Sequence, residues 1–256
     1  MKTKTLEQKT AVVTGAGRGI GAAIARGLAG EGARVALIGR KLAPLEEQAK
    51  RLTGAIAVSA DVTDADSVRA AFAKIREQFG RIDILVNNAG NAESAPFTRT
   101  DPALWNRMIA LNLSGVFLCT AEVYPAMLKQ DYGRIVNVAS TAALKGYAYV
   151  TAYCAAKHGV LGLTRALALE AAKSRVTINA VCPGYTETDI VKDAVANIMA
   201  KTGKSEADAR AALTAHNPQA RMIQPDEVAD AVLWICQPGS ASITGQAIAV
   251  AGGEVM

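Results

Sequence analysis

Short apolar runs alternate along the chain with longer stretches in which apolar residues recur every three or four positions. TAVVTG (10–15) is an apolar run closed by glycine, the pattern of a strand buried on both faces. Residues 19–31 carry apolar side chains at helical spacing until Gly32 stops them. RVALIG (34–39) is a second strand, residues 42–53 a helix, AIAVSAD (55–61) a strand, and 64–79 a helix opened by Asp64. DILVNNAG (83–90), a long helix over about 102–129, GRIVNVAS (133–140), a helix over about 151–173 and TINAVCPG (177–184) continue the alternation. Residues 189–218 are helical in character with no strand among them. That is longer than an ordinary connection, and long excursions beside a site are often lids. PDEVADAVLWIC (225–236) is a helix with proline at its start, and AIAVAGG (247–253) is a last strand. Parallel strands need crossovers, and right-handed crossovers give a sheet with helices on both faces. The pattern predicts one α/β domain over 1–256. Its core is a doubly wound parallel sheet of about seven strands, with a helical lid at about 185–218.

Composition supports that picture. Half of the 256 residues are hydrophobic and only 5% aromatic, which suits small side chains packed tightly on a buried sheet. The formal charge is +5, but Lys and Arg are scattered rather than clustered. That argues against a nucleic-acid partner and for a small anionic ligand. Cys119, Cys154, Cys182 and Cys236 form no C-x-x-C pair and lie in apolar settings, so they read as reduced thiols with no disulfide frame and no metal site. The start, MKTKTLEQKTAVV, lacks a signal-peptide pattern, and no apolar run reaches the ~18 residues of a membrane helix. A soluble cytoplasmic protein with no membrane partner is expected.

The first strand-to-helix turn, TGAGRGIG (14–21), packs Gly15, Gly17, Gly19 and Gly21 together. Such a turn lets the backbone approach a pyrophosphate resting on the positive end of the following helix. The second strand then discriminates between dinucleotides. A carboxylate there would hold the ribose 2′-hydroxyl of NAD, but this strand ends in Gly39-Arg40. Arg40, with Arg18 inside the glycine turn, suits a 2′-phosphate, so NADP(H) is expected over NAD(H). Asp61 ends the third strand, placed either to accept from an adenine amino group or to cap the next helix, for which Asp64 is the better candidate. Asn87-Asn88-Ala89-Gly90 ends the fourth strand with a small polar turn at the ligand edge of such a sheet.

Tyr153 and Lys157 are four apart in a helical stretch, which stacks them on one face. An ammonium beside a phenol favours phenolate, giving a group that exchanges protons nearer neutrality. The Ser140 hydroxyl, thirteen residues earlier, is placed to hold a substrate oxygen.

Taken together, TGAGRGIG, NNAG, Ser140, Tyr153-x-x-x-Lys157 and Pro183-Gly184 resemble the short-chain dehydrogenase/reductases, from about residue 6 to the final AGG. The resemblance implies a Rossmann-type fold and hydride transfer between a nicotinamide and a carbonyl carbon. By the same likeness Tyr153 is the acid/base, Lys157 lowers its pKa and binds the nicotinamide ribose, and Ser140 polarises the carbonyl. Asn112 holds a proton-relay water, and Thr188 binds the carboxamide. The implied cofactor cradle also takes in Gly15, Arg18, Gly19, Ile20, Gly21, Arg40, Asp61, Val62, Asn88, Ala89, Gly90, Pro183 and Gly184. The family's homotetramers pair through the two long helices and through the last helix and strand.

Residues near 91–98, 141–150 and 185–218 are expected to form the substrate pocket. Phe97, Tyr185, Ile190 and Ile198 would add apolar wall, and Lys145, Lys192, Lys201 and Lys204 are candidates for thioester phosphates. AYCAAKHGVLGLT and NAVCPGYTET resemble 3-oxoacyl-thioester reductases and polyketide ketoreductases. Carrier-protein reductases of that kind tend to have a basic residue just before the GRI segment. Asp131-Tyr132 stands there instead, with Lys129, Lys173 and Arg175 nearby, so a coenzyme A thioester is at least as well supported as a carrier protein. Two other readings stand beside a 3-oxoacyl-thioester reductase: a dehydrogenase of a free secondary alcohol or ketone, and a non-catalytic cofactor-binding sensor. The intact Ser-Tyr-Lys set weighs against the sensor.

Overall fold

The computed structural model describes residues 4–255, apart from the side chain of Ile190, so the expectation for that residue lies outside what is described. Seven strands form one sheet: β1 (Thr10–Thr14), β2 (Arg34–Gly39), β3 (Ile56–Ser59), β4 (Ile84–Asn87), β5 (Gly133–Val138), β6 (Val176–Pro183) and β7 (Ala247–Val250). Their order is β3-β2-β1-β4-β5-β6-β7, and every pairing is parallel. The chain therefore winds outward from β1 in one direction, returns, and winds outward from β4 in the other. The reversal leaves a crevice beyond the carboxyl ends of β1 and β4, where ligands of such sheets bind.

Alternation along the strands divides the core in two. Ala11 and Val13 of β1, with Val35 and Leu37 of β2, face α1 (Gly19–Gly30) and α9 (Pro225–Cys236). Val12, Ala36 and Ile38 point the other way, onto Phe72 and Ile75 of α3 (Ala65–Phe79) and Val123 and Met127 of α5 (Gly115–Lys129). This period of two, with apolar residues on both faces, is why these strands read as continuous hydrophobic runs. Asp64 caps α3 as expected, accepting from Asp66 N and Ser67 N.

Several boundaries differ from the expectation. The helix read over 42–53 is α2, Leu42–Ala49. The long helix over 102–129 is α4 (Pro102–Ile109), one widened π turn over Ala110–Ser114, and then α5. Apolar periodicity does not register a single widened turn, because the side-chain pattern continues through it. This continuous helix is also long and apolar enough to cross a membrane by length and composition alone, with 39% of its most apolar window buried. Charged residues interrupt the run, which is why counting consecutive apolar residues missed it. The segment after Gly184 contains α7 (Asp189–Thr202), ended by Gly203 in the left-handed region, and α8 (Glu206–Thr214), capped by Ser205. These two helices share a small core of Val191, Val195, Ala209 and Met222, against which Ile198 packs. Ile198 thus belongs to that core rather than to a pocket wall.

Candidate active site

The glycine turn is shaped by close approach. Gly15 has φ +66°, and a Cβ there would stand 2.9 Å from Asn88 Nδ2 and 3.0 Å from Ala89 Cα. A Cβ on Gly21 would overlap the Gly15 carbonyl oxygen and lie 2.5 Å from Asn88 Nδ2. The β4 turn is stitched to the same place. Thr14 Oγ1 accepts from the Asn88 and Ala89 backbone N–H groups, both at 3.0 Å, and Asn88 Nδ2 donates to Thr14 O at 2.9 Å. The Asn88 amide thus holds the turn. Its amide donor faces β1, so the side chain supports the turn from which the backbone of Asn88–Gly90 meets the cleft. α1 begins beneath this turn with no side-chain cap on its first N–H groups and no acidic residue in its first turn. That leaves donors for an anion. A narrow cleft lies alongside, lined by Thr14, Val62, Asn87, Ala89, Gly115 and Val116. Ile20 packs its partly buried side chain against the core.

Around the adenosine end, Asp61 Oδ1 accepts from Thr63 N at 2.9 Å and Thr63 Oγ1 at 2.8 Å. The Thr63 backbone bond is the main reason its carboxyl lies below the ordinary value, and the Arg40 charge adds a smaller effect. Arg40 is exposed past the end of β2. Arg18 is not a free cation: its guanidinium pairs with Asp189 Oδ2 at 2.9 Å. Thr188, the residue before α7, sets its methyl 3.2 Å from where a Cβ on Gly19 would be. Asp189 and Thr188 therefore bring the start of α7 onto the glycine turn.

Ser140, Tyr153 and Lys157 converge from β5 and α6 (Thr151–Glu170). Ser140 Oγ accepts from Ala142 N at 3.1 Å and hydrogen-bonds the Tyr153 hydroxyl. Lys157 is 3% exposed and donates to Val138 O at 2.9 Å. Its Nζ lies 5.6 Å from the Tyr153 ring centroid. Gly90 brings the β4 turn against both groups: a Cβ there would stand 2.8 Å from Asn112 Oδ1 and 3.6 Å from Lys157 Nζ.

Burial acts on both groups of the pair. It pushes Tyr153 up to about 12, and the Ser140 hydrogen bond opposes this only in part. Burial also pulls Lys157 down to about 8. The Lys157 charge favours phenolate, and desolvation works against it on both groups. Asn112 is held by its own chain. It is buried in the π turn, where Nδ2 donates to Asn91 O at 2.9 Å and Met108 O at 3.1 Å, and Oδ1 accepts from Asn91 N at 3.2 Å. Its side chain pins the segment after Gly90 to the widened turn.

Sequence reasoning missed Glu254, which no motif or spacing marks, and did not connect Cys182 with the site. Cys182 adjoins the cluster: burial pushes its thiol up to about 11, opposed by the Ser140 backbone N–H and by Lys157. Glu254 pairs with Tyr147, of the expected pocket stretch, beside Gly184. Two expected phosphate contacts have partners within the chain, Lys145 with Glu254 at 3.1 Å and Lys192 with Asp189 at 3.4 Å. Phe97 is exposed, and Tyr185 lies near Tyr153, which its charge would influence. Asp131, where carrier-protein reductases tend to be basic, pairs with Arg175 at 3.0 Å.

Comparison with known proteins agrees with this geometry. Residues 9–199 match the family described as short chain dehydrogenase. The chain is 38% identical to the 3-oxoacyl-(acyl-carrier-protein) reductase of Escherichia coli over 98% of each chain. It is 40% identical to the cis-4-hydroxycyclohexanecarboxylate dehydrogenase of Sinomonas cyclohexanicum over 96% of each. A crystal structure of an actinorhodin polyketide ketoreductase variant with NADPH superposes with a TM-score of 0.92 at 39% identity, covering 99% of both chains. With the parallel seven-stranded sheet and the converging Ser-Tyr-Lys set, these matches make the chain an oxidoreductase of the short-chain dehydrogenase family.

Proposed function

We propose that the protein is an NADP(H)-dependent reductase of 3-oxoacyl thioesters, forming the 3-hydroxyacyl thioester. The observation that carries the reading is the Ser140–Tyr153 hydroxyl pair at the mouth of the dinucleotide crevice, with buried Lys157 behind it. The residues present fit a dinucleotide. Gly15 and Gly21 leave no room for a side chain, the first N–H groups of α1 are uncapped, and Arg40 stands exposed at the ribose end. In this reading the glycine turn and the first turn of α1 bind the pyrophosphate, and Arg40 pairs with the 2′-phosphate. Lys157 and the segment around Asn88–Gly90 and Pro183–Thr188 hold the nicotinamide half. When bound, the nicotinamide supplies the hydride. The chain's own groups orient and protonate. Ser140 donates to the carbonyl oxygen, and Tyr153, whose pKa near 12 keeps it protonated at neutral pH, delivers the proton. Lys157 shares that proton's return path. The protein is further inferred to be cytoplasmic and homotetrameric, with residues 185–218 as a lid on one domain.

A coenzyme A thioester is favoured over a carrier protein because Asp131 is acidic and already paired with Arg175. The second reading, oxidation or reduction of a free cyclic alcohol or ketone, has its own support in the 40% identity to a hydroxycyclohexanecarboxylate dehydrogenase.

The test is steady-state oxidation of NADPH and NADH with acetoacetyl-CoA and with cyclohexanone. Faster NADPH loss with the thioester, falling on the order of a hundredfold or more in Tyr153→Phe, is the expected result. Turnover of the ketone alone moves the function to the second reading. Unchanged turnover in Tyr153→Phe removes the tyrosine assignment.

A further inference from the structure

The C-terminal tail carries a carboxylate back into the substrate side of the molecule. Gly252 and Gly253 have φ of +61° and +90°, conformations that fold the chain sharply after β7. A Cβ on Gly252 would overlap the Asn217 amide, and one on Gly253 would stand 3.2 Å from Pro218 Cγ, so the turn is pressed against the chain that follows α8. Glu254 emerges from this turn with its side chain only 3% exposed. Glu254 Oε1 accepts from the Tyr147 hydroxyl at 2.5 Å and pairs with Lys145 Nζ at 3.1 Å. Tyr147 in turn accepts from Thr141 Oγ1, with the two oxygens 2.7 Å apart. The other carboxylate oxygen lies over Gly184, 3.2 Å from where a Cβ there would be. Tyr147 is driven well above an ordinary phenol by burial and then by its bond to the carboxylate, so this proton stays on the phenol as a donor.

Four residues meet around this carboxylate. Thr141 follows Ser140 directly, Lys145 and Tyr147 lie on the segment leading to Tyr153, and Gly184 follows the end of β6 beside the crevice. We propose that Glu254 is a positioning residue that clamps the segment after Ser140 to the end of β6, and thereby sets which carbonyl substrates reach Ser140 and Tyr153. The inference rests on the reading of that hydroxyl pair as the carbonyl site. A buried carboxylate with a cationic and a phenolic partner is a charge-assisted network, and removing its centre leaves both partners without it. The clamp bears on the segment beside the carbonyl site; most of the dinucleotide cradle lies across the crevice on β1, β2 and β4, and only the stretch from Pro183 is shared.

The test compares wild type with Glu254→Ala, Glu254→Gln and Glu254→Ala/Tyr147→Phe, measuring KM, kcat, NADPH Kd and Tm. Glu254→Ala is expected to raise KM for the carbonyl substrate about tenfold, with kcat and NADPH Kd each within about threefold. Glu254→Gln should recover part of the loss, since its amide oxygen still accepts from Tyr147. The double variant should add little to Glu254→Ala, as expected for residues acting through one contact. An unchanged KM overturns the proposal, and so does a parallel worsening of KM, kcat, NADPH Kd and Tm, which marks a general structural role. Whichever carbonyl compound the wild type reduces serves as the substrate, so a wrong thioester assignment shows in the wild type, separately from any effect at Glu254.

Discussion

Lys157 carries a burial cost that the proposed activity would explain. Its ammonium is buried, bonded to Val138 O, and pulled from 10.5 to about 8. Below that value the folded protein carries the full cost of a buried charge. Between about 8 and 10.5 only the unfolded chain takes up the proton, so stability rises with pH through that window. The full cost is about 3 kcal/mol, and loss of the Val138 bond in a methionine variant returns about 1 kcal/mol of it. Lys157→Met is therefore expected to be more stable than wild type at pH 7 by about 2 kcal/mol, with the advantage fading toward pH 10, while turnover is lost. Tyr153 acts in the opposite sense at higher pH: its proton is favoured in the fold, a contribution present below about 10 and lost as pH rises toward 12. Urea unfolding of both proteins at pH 7 and pH 9.5 checks the sign. A stability difference that does not change with pH would remove desolvation as its cause.

At the scale of elements, the start of α1 is where backbone geometry and ligand meet. Gly21→Ala places a methyl against Gly15 O and Asn88 Nδ2, so it should weaken NADPH binding by more than tenfold and lower Tm. Unchanged affinity by fluorescence titration would mean that the turn yields without harm. The Arg18–Asp189 pair joins this turn to α7 across the crevice. Both partners are largely exposed, so the pair itself adds little stability, but it competes for a guanidinium that a 2′-phosphate would use. Asp189→Asn is expected to tighten NADPH binding two- to fivefold and leave NADH alone; equal changes for both nucleotides would show that Arg18 does not read the phosphate. The glycine turn, the alternating strands and the Tyr153–Lys157 pair were legible in the sequence because each follows from spacing along one element, whereas Ser140, which meets them from the end of β5, was picked out by the family resemblance. The Tyr147–Glu254 contact was not, since its partners are 107 positions apart and meet only through the sheet order. The direction of the Tyr153 shift was also out of reach. It depends on how completely the surrounding chain excludes water, which no local spacing records.

At the scale of the molecule, two apolar surfaces remain outside the core. Phe117 on α5 is 55% exposed and Leu169 on α6 is 80% exposed, while Trp234 on α9 is 52% exposed. Single exposed apolar residues are ordinary, but these lie on the helices through which the family resemblance implies that a tetramer would pair. A closed tetramer of dihedral symmetry needs two different self-complementary patches, one on α5 and α6 and another on α9 and β7. Each patch then has a separable consequence. A glutamate at a self-complementary patch meets its own copy, so burial and like-charge repulsion oppose association there. Phe117→Glu and Leu169→Glu should leave a dimer held by the α9 side, Trp234→Glu should leave a dimer held by the α5 side, and combining Phe117→Glu with Trp234→Glu should give monomers. Light scattering after size exclusion distinguishes these states. A wild-type monomer at micromolar concentration would sink the tetramer, and a tetramer unaffected by either glutamate would place its interfaces elsewhere. Because Tyr153 and Lys157 lie on α6, the same experiment reports whether assembly steadies the site. Dimers formed through α9 alone should then show a lower kcat than dimers formed through α5 and α6.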